Sequence, residues 1–387
     1  MNRRRALATF GSAASFALAG CTASPTSPEG ITVETVLEGL SSPWGLAFLP
    51  TDSSARLLVT EQPGTLRRID VTDGTDEEIG GVPAVHHAGQ GGLLDIAVGP
   101  AYPEEPWLYL TYATANDDGE STTALARGQL EPGASTLEAV EELHTATPFV
   151  ASDAHYGSRV VIGDDDMVYL TVGDRQFSDF GPDHVSQDRS TELGTTLRLE
   201  PDGSVPADNP FLEESDVEEP IFSYGHRNAQ GMTVHPETGE IWQSEHGEED
   251  GDEINVLEVG ANYGWPVAHY GCEYGTTDPV GDQPDEREEV TDPVYYWGCG
   301  SGGFPPAGMT FYDNDTISEW EGDLFVGNLA GEYLGRFRVD GTDVEEADPL
   351  FEGRGWRIRD VAVDPETGYL YVAVDDDSAP LVRLTPD

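Results

Sequence analysis

Ser158-Arg159-Val160-Val161-Ile162, a turn, and then Val168-Tyr169-Leu170-Thr171 is the phrase that decides the fold. A small residue opens an alternating strand, Gly and Asp turn the chain, and the second strand is rich in Val, Leu and Tyr, which suit a buried pleated surface. The phrase occurs five more times. It reads Trp44-Gly45-Leu46-Ala47-Phe48 with Leu57-Leu58-Val59-Thr60, and Gly92 to Val98 with Leu108-Tyr109-Leu110-Thr111. It returns as Gly231-Met232-Thr233-Val234 with Glu240-Ile241-Trp242-Gln243, and as Gly308-Met309-Thr310-Phe311 with Leu324-Phe325-Val326-Gly327. Ile358 to Val363 with Leu370-Tyr371-Val372-Ala373 completes the set. Six copies leave about 60 residues each, enough for a four-stranded blade with loops. No long helical period follows residue 30. The expectation is all-β: a six-bladed β-propeller over residues 31–387, without a second domain. Its ring closes if the strand around Ile31–Leu37 joins the blade made by the C-terminal residues. A sandwich or jelly roll does not explain six copies of one ordered strand pair.

The charge balance narrows the environment. All 19 basic residues are arginine, none is lysine, and 73 are Asp or Glu, for a formal net charge of −54. Arg3, Arg4 and Arg5 lie in a leader without acids, so the mature chain sets 16 Arg against 73 acids. Such a surface repels nucleic acid and anionic membrane. Its self-repulsion is largely screened in molar salt, where the Debye length is roughly 3 Å. The acids are interleaved with aromatic and β-branched runs rather than gathered in a disordered tail, so the chain reads as adapted to brine.

Residues 1–21 read as a targeting signal: the arginines precede an apolar stretch, Ala6 to Ala19, too short to span a bilayer. A twin-arginine start implies export of a folded protein. Leu18-Ala19-Gly20-Cys21 looks like a lipobox, with Cys21 as the lipidated first mature residue and 22–30 as a flexible tether; a plain secretory leader is the alternative. The expected location is extracytoplasmic, lipid-anchored to the outer face of the cell membrane. Outside the cell, Cys272 and Cys299 are more readily bonded than free. Two isolated thiols also lack the paired spacing of a zinc site.

Where cations are so few, those kept among glycines and aromatics stand out: Arg159, Arg227, Arg357 and Arg359. They suggest a pocket for an anionic ligand. Gly89-Gln90-Gly91-Gly92, His155-Tyr156-Gly157-Ser158-Arg159, Gly173-Asp174-Arg175, Gly225-His226-Arg227-Asn228 and Arg357-Ile358-Arg359 all flank innermost strands, and so should ring the mouth of the central channel. A histidine beside a carboxylate is the usual general-base pair.

These motifs, with Glu245-His246-Gly247, Gly251-Asp252-Glu253-Ile254-Asn255 and Asn262-Tyr263-Gly264-Trp265-Pro266, resemble the soluble aldose dehydrogenases that use pyrroloquinoline quinone (PQQ), the family of soluble glucose dehydrogenase. The resemblance covers nearly all of residues 31–387. It implies oxidation of aldose sugars such as glucose to lactones, with an external electron acceptor. It makes His155 the base, Asp174 its orienting partner, Gln90 the residue that holds substrate beside the cofactor, and Arg227 the group that polarises the quinone oxygen. Asn228, Tyr274, Arg357 and Arg359 would contact PQQ. A calcium ion would take the carbonyls of Gly247 and Glu248, and a second one Glu253 and the Tyr263 carbonyl. His226 and His246 read as residues that either support the site from behind its lining or simply pack.

Two departures stand out. Glu248 occupies a position where the family usually has proline, and Ala330 one where it commonly has a cofactor-binding lysine. Two other functions remain open: a calcium-dependent lactonase-type hydrolase, and a non-catalytic sugar- or protein-binding propeller that has lost PQQ. The first needs a metal held by carboxylates at the channel centre. The Gly-rich loops define no tight sugar pocket, so a broad substrate range is expected.

Overall fold

The computed structural model describes residues 30–50 and 56–387. The leader, Cys21 and all of the tether but Gly30 lie outside the described residues. Six four-stranded antiparallel sheets form the blades of a propeller. From centre to rim, blade 1 is Pro43–Leu49, Arg56–Glu61, Thr65–Asp70 and Thr75–Ile79. Blade 2 is Leu93–Val98, Trp107–Ala115, Ser121–Gln129 and Glu138–Thr145. Blade 3 is Gly157–Ile162, Val168–Val172, Thr195–Leu199 and Ile221–Tyr224, and blade 4 is Ala229–Val234, Ile241–Glu245, Asp252–Val256 and Tyr295–Trp297. Blade 5 is Pro306–Phe311, Leu324–Asn328, Tyr333–Asp340 and Asp343–Glu346. Blade 6 is Ile358–Val363, Leu370–Val374 and Ala379–Pro386, completed by Ile31–Leu40 from the other end of the chain. That last strand pairs antiparallel with the C-terminal one, Ile31 opposite Pro386 and Val33 opposite Leu384, so the ring closes as the sequence implied. All twelve strands of the repeated phrase appear, within a residue or two at their ends except that Trp107–Ala115 runs four residues past Thr111.

Neighbouring blades pack face to face. Leu57, Val59 and Ile69 of blade 1 meet Leu370, Val372 and Leu381 of blade 6, and Leu58 and Leu66 meet Leu108 and Leu110 of blade 2. Each such buried aliphatic side chain contributes about 1.5–3 kcal/mol relative to exposure. The rim strands of blades 1 and 2, Thr75–Ile79 and Glu138–Thr145, are acidic and solvated, which discourages edge-to-edge pairing.

The feature that positions the chemistry is a register slip near the start of every innermost strand: at 43/46, 93/96, 157/160, 229/231, 306/309 and 358/360. Such bulges bend a strand and re-aim its side chains. The residues within or at the end of the slips are Gly45, Asp95, Arg159, Gly231, Gly308 and Asp360. Three glycines leave the room that one arginine and two aspartates fill. A Cβ on Gly45 would lie 2.5 Å from Asp95 Oδ1, and one on Gly308 would collide with Asp360 and Arg159. Arg159 donates to Asp95 Oδ1 at 3.0 Å, to the Gln230 carbonyl at 2.6 Å and to the Arg359 carbonyl at 3.2 Å, and pairs with Asp360 Oδ1 at 3.2 Å. Asp95 and Asp360 spend their other oxygens on the Val160 and Leu46 backbone N–H groups. The channel is therefore plugged. Arg159 does not belong to the ligand-binding arginines among which its sequence setting placed it, because the bulge turns it inward between two aspartates. On the far side of the plug lies a cavity of about 480 Å³, walled by Ile96, Val160, Met232, Met309 and Val361.

Candidate active site

His155 lies just before the inner strand of blade 3 in the left-handed region (φ 47°), and Gly157 follows at φ 65°. A side chain held in such a conformation costs about 1–3 kcal/mol and persists only where its surroundings fix it. Here they do. His155 Nδ1 is 2.7 Å from Asp174 Oδ1, and the His155 backbone N–H donates to Gln90 Oε1 at 2.8 Å. Asp174 follows the second strand of the same blade and accepts from Trp265 Nε1 (2.9 Å) and from the Gln176 N–H (2.8 Å). Burial pushes the Asp174 carboxyl up, but the hydrogen bond and charge of His155, with the charge of Arg227, bring it below its ordinary value. An anionic Asp174 fixes the ring through Nδ1, so Nε2 is the nitrogen left for a substrate proton.

Beside it opens a cavity of about 340 Å³, lined by Trp44, Gln90, Gln230, His246, Arg357 and Arg359, with Ala330 at its edge. Arg357 and Arg359 converge on Asp375 Oδ2, at 3.2 and 2.7 Å, and Arg359 also donates to Gln230 Oε1 at 3.0 Å. Arg357 reaches towards blade 5, its Nη1 lying 3.4 Å from the Leu329 carbonyl. Arg359 Nε is buried without a partner. Arg227, also buried, donates its backbone N–H to Glu245 and pairs Nη2 with Glu248 at 2.6 Å, while its Nε has no partner. Its guanidinium lies 5.1 Å from the Trp265 ring. The Glu248 side chain, a departure from the resembled family, thus engages the arginine expected to face developing negative charge. Tyr274, 63% exposed, stands beside Arg227 and Glu248, and burial of its hydroxyl raises its pKa. Asn228 is buried, with Oδ1 accepting from Gly157 N–H at 3.1 Å.

His155, Asp174, Gln90 and Arg227 form one cluster, and Arg357 and Arg359 complete the same mouth. His246 joins them: Arg227, His155 and Arg359 all press on its ring electrostatically. Trp44, Asp375, Gln230 and Trp265 carry parts of the site that the sequence did not single out. Asp375 opens the run Asp375-Asp376-Asp377, which reads as more surface acid. Arg175 is not a ligand residue; it lies 3.7 Å over the Tyr156 ring and donates to the carbonyls of Ala154, Ser121 and Ser152.

Of the residues expected to hold cations, Gly247 donates its N–H to Asp252 Oδ1 at 3.0 Å. Glu253 is buried directly opposite Glu245 in the next strand. Burial first, then the charge of Glu245, pushes its carboxyl well above the ordinary range. Glu253 Oε1 and Asn255 Oδ1 are buried oxygens without partners, the donor chemistry a calcium ion satisfies. Tyr263 stacks on His226 at 4.7 Å and donates its hydroxyl to the Val256 carbonyl. Asp250, Cys272 and Cys299 also converge, but the thiols are joined in a disulfide with Cα atoms 5.2 Å apart, which removes them as ligands.

Two imidazoles, His269 buried and His246 half-buried, make stability pH-dependent. Burial first, then the charge of Arg227, holds His246 and His269 down at about 3. From pH 6.5 towards 3 the unfolded chain binds these protons and the folded one does not, so their contribution is lost as pH falls through that window. Asp252 and Asp360, pushed by burial up to about 6, act in the opposite sense. His269→Gln is expected to flatten the fall in melting temperature between pH 6.5 and 4.5; an unchanged slope would show that His269 does not drive it.

The model of the glucose/sorbosone dehydrogenase family matches residues 40–383. The aldose sugar dehydrogenase YliI of Escherichia coli K12 is 34% identical over 363 residues, covering 93% of this chain and 94% of that protein. The crystal structure of the soluble aldose sugar dehydrogenase from Escherichia coli in its apo-form superposes with a TM-score of 0.85 at 34% identity, over 92% of this chain and all of that one. The PQQ-bound aldose sugar dehydrogenase of Streptomyces coelicolor superposes with a TM-score of 0.74 at 29% identity, over 94% of this chain and all of that one. Through the family match and this overlap along nearly its whole length, the chain belongs to the glucose/sorbosone dehydrogenase family.

Proposed function

We propose that the protein oxidises aldose sugars such as glucose to lactones, using PQQ and calcium and passing electrons to an external acceptor. The observation that carries this reading is the His155–Asp174 pair beside a pocket whose arginines keep unspent buried donors at Arg227 Nε and Arg359 Nε. Unspent donors of this kind fit a polycarboxylate. Arg357 and Arg359 would hold its carboxylates, in exchange for Asp375, with Asn228 and Tyr274 near its edge.

When bound, PQQ supplies the two-electron acceptor to which the anomeric C–H passes as hydride. His155 Nε2 takes the proton of the anomeric hydroxyl, and Asp174 stabilises the imidazolium that forms. Gln90 holds the His155 backbone, and its amide N–H₂ remains for a sugar oxygen. Arg227 places positive charge where negative charge develops on oxygen. Glu253, with the Tyr263 carbonyl, is the proposed structural calcium site, and the carbonyls of Gly247 and Glu248 the proposed second one. Export and a lipid anchor at Cys21 remain part of the proposal.

The hydrolase reading is disfavoured by the channel centre, where Asp95 and Asp360 are committed to Arg159 and backbone N–H groups. To test the dehydrogenase reading, PQQ and calcium are added to the cofactor-free protein in high salt and glucose-dependent dye reduction is followed. Finding neither dye reduction nor bound-cofactor absorbance would remove that reading and leave the non-catalytic propeller. Calcium alone should raise the melting temperature, and Glu253→Gln should remove most of that rise; equal rises in both proteins would rule out Glu253 as a ligand.

A further inference from the structure

Trp265 touches two of the site's groups at once. The indole is buried and donates Nε1–H to Asp174 Oδ2 at 2.9 Å. The same ring has the Arg227 guanidinium 5.1 Å from its centroid. Backbone and ring contacts fix its seat. The Trp265 backbone N–H donates to the Gly225 carbonyl at 2.9 Å, in the loop that carries Arg227, and the Trp265 carbonyl accepts from Gln187 Nε2 at 2.7 Å. Phe180 and His269 pack against the ring in T-shaped contacts, with centroids 5.3 and 5.0 Å away.

The two oxygens of Asp174 are used differently. Oδ1 faces His155 Nδ1 and accepts the Gln176 N–H. Oδ2 has one hydrogen-bond donor among the described residues, Trp265 Nε1. His184 Nε2 stands off at 3.9 Å, and its proton is spent elsewhere. His184 Nδ1 accepts the Ser186 N–H, so Nε2 carries the hydrogen and donates it to the Phe177 carbonyl at 3.1 Å. A hydrogen bond to one oxygen of a carboxylate draws negative charge towards it, and a less basic carboxylate holds an imidazolium less firmly. The indole N–H therefore acts as a brake on the proton affinity of His155. A general base has to meet its substrate unprotonated. The other charged or titratable groups facing the pair are Arg175, His184, His246 and Arg227 with its partner Glu248. Removing the indole N–H alone leaves all of them in place.

We propose that Trp265 is a positioning residue for the general base: by donating to Asp174 Oδ2 it lowers the proton affinity of His155 and keeps Nε2 free for the substrate proton. The assignment rests on the function proposed above. It adds to the pair on blade 3 a residue from the loop between the third and fourth strands of blade 4.

Trp265→Phe keeps a ring beside Arg227 and loses the N–H. In cofactor-free protein, the His155 titration is followed by histidine ¹³C NMR, with its signal assigned by its loss in His155→Ala. The midpoint should rise by at least about half a pH unit in Trp265→Phe, less than a direct hydrogen bond to a charged group supports because the effect passes through Asp174. With PQQ, calcium and glucose added, the acid limb of kcat/KM should move up as well, while the alkaline plateau stays within about threefold of wild type. An indole that only fills space would lower the rate at every pH and leave both midpoints unchanged. That result overturns the proposal, as does a midpoint that falls. Should Trp265→Phe fail to fold, benzothienylalanine at position 265 keeps the bicyclic ring, puts sulfur in place of the N–H and carries the same two readouts. If wild type reduces no dye while the NMR shift is present, the dehydrogenase reading falls and the influence of Trp265 on His155 stands. Turnover without the shift removes the Trp265 assignment alone.

Discussion

His155→Ala is expected to lower kcat by about a hundred- to ten-thousand-fold, the usual contribution of a positioned general base, while PQQ binding changes little. The separation follows from the geometry. Under the proposed function Arg227, Arg357 and Arg359 would meet the cofactor, whereas His155 is tied to Asp174 and to the loop carrying Gln90. Asp174→Asn should lose much of the same activity by a different route. An amide cannot hold the ring in the same tautomer, so the variant would keep the geometry and misplace the proton. Both should retain cofactor absorbance. A His155→Ala enzyme that turns glucose over at more than a tenth of the wild-type rate would remove its role as base.

The sequence made the scaffold legible because propeller blades obey local rules. Each repeat carries its own strand period and turn, and the closure by Ile31–Leu40 follows from the need to pair a lone first strand. The pairing of His155 with Asp174 was legible for a related reason: the two flank two strands of one blade, so their proximity follows from the hairpin. The rest was hidden either because one acid among many gives no signal or because contacts between blades decide it. Asp375 meets Arg357 and Arg359 where a turn of blade 6 folds back on its own inner strand, but in sequence it is one acid among 73. His246 comes to line a cavity with Arg357 and Arg359 only when the fold brings blades 4 and 6 together. Arg159 looked like a ligand residue because its neighbours are glycine, serine and tyrosine; the bulge at 157/160 sends it to the channel axis instead. Beside Ala330, where the resembled family commonly has lysine, Arg357 reaches from blade 6 to the Leu329 carbonyl.

Arg159→Leu is expected to cost about 3–5 kcal/mol, the range for removing one partner from a buried ion-pair network. It would lower the melting temperature by roughly 5–10 °C at the few degrees per kcal/mol that a large domain shows. Asp95 and Asp360 are buried with Arg159 between them, and burial already raises both carboxyls despite its charge. Without the guanidinium they face each other across the channel, and folding at neutral pH must protonate them or hold two unpaired charges. The sign with pH follows. Their folded pKa values would climb further above the unfolded value near 3.9, so the folded variant binds more protons than the unfolded chain, and stability returns as pH falls. The deficit should therefore be large at pH 7 and shrink towards pH 5. Molar salt should not repair it, because screening acts on exposed charge and hardly reaches a plug inside the channel. That contrast separates two electrostatic regimes in one molecule: an acidic surface expected to need brine, and a centre that needs Arg159. Changing Asp95 and Asp360 to Asn together with Arg159→Leu should recover part of the loss by removing the stranded charges. A single Arg159→Leu variant that melts within two degrees of wild type at pH 7 would show that the plug fills space without holding the ring together.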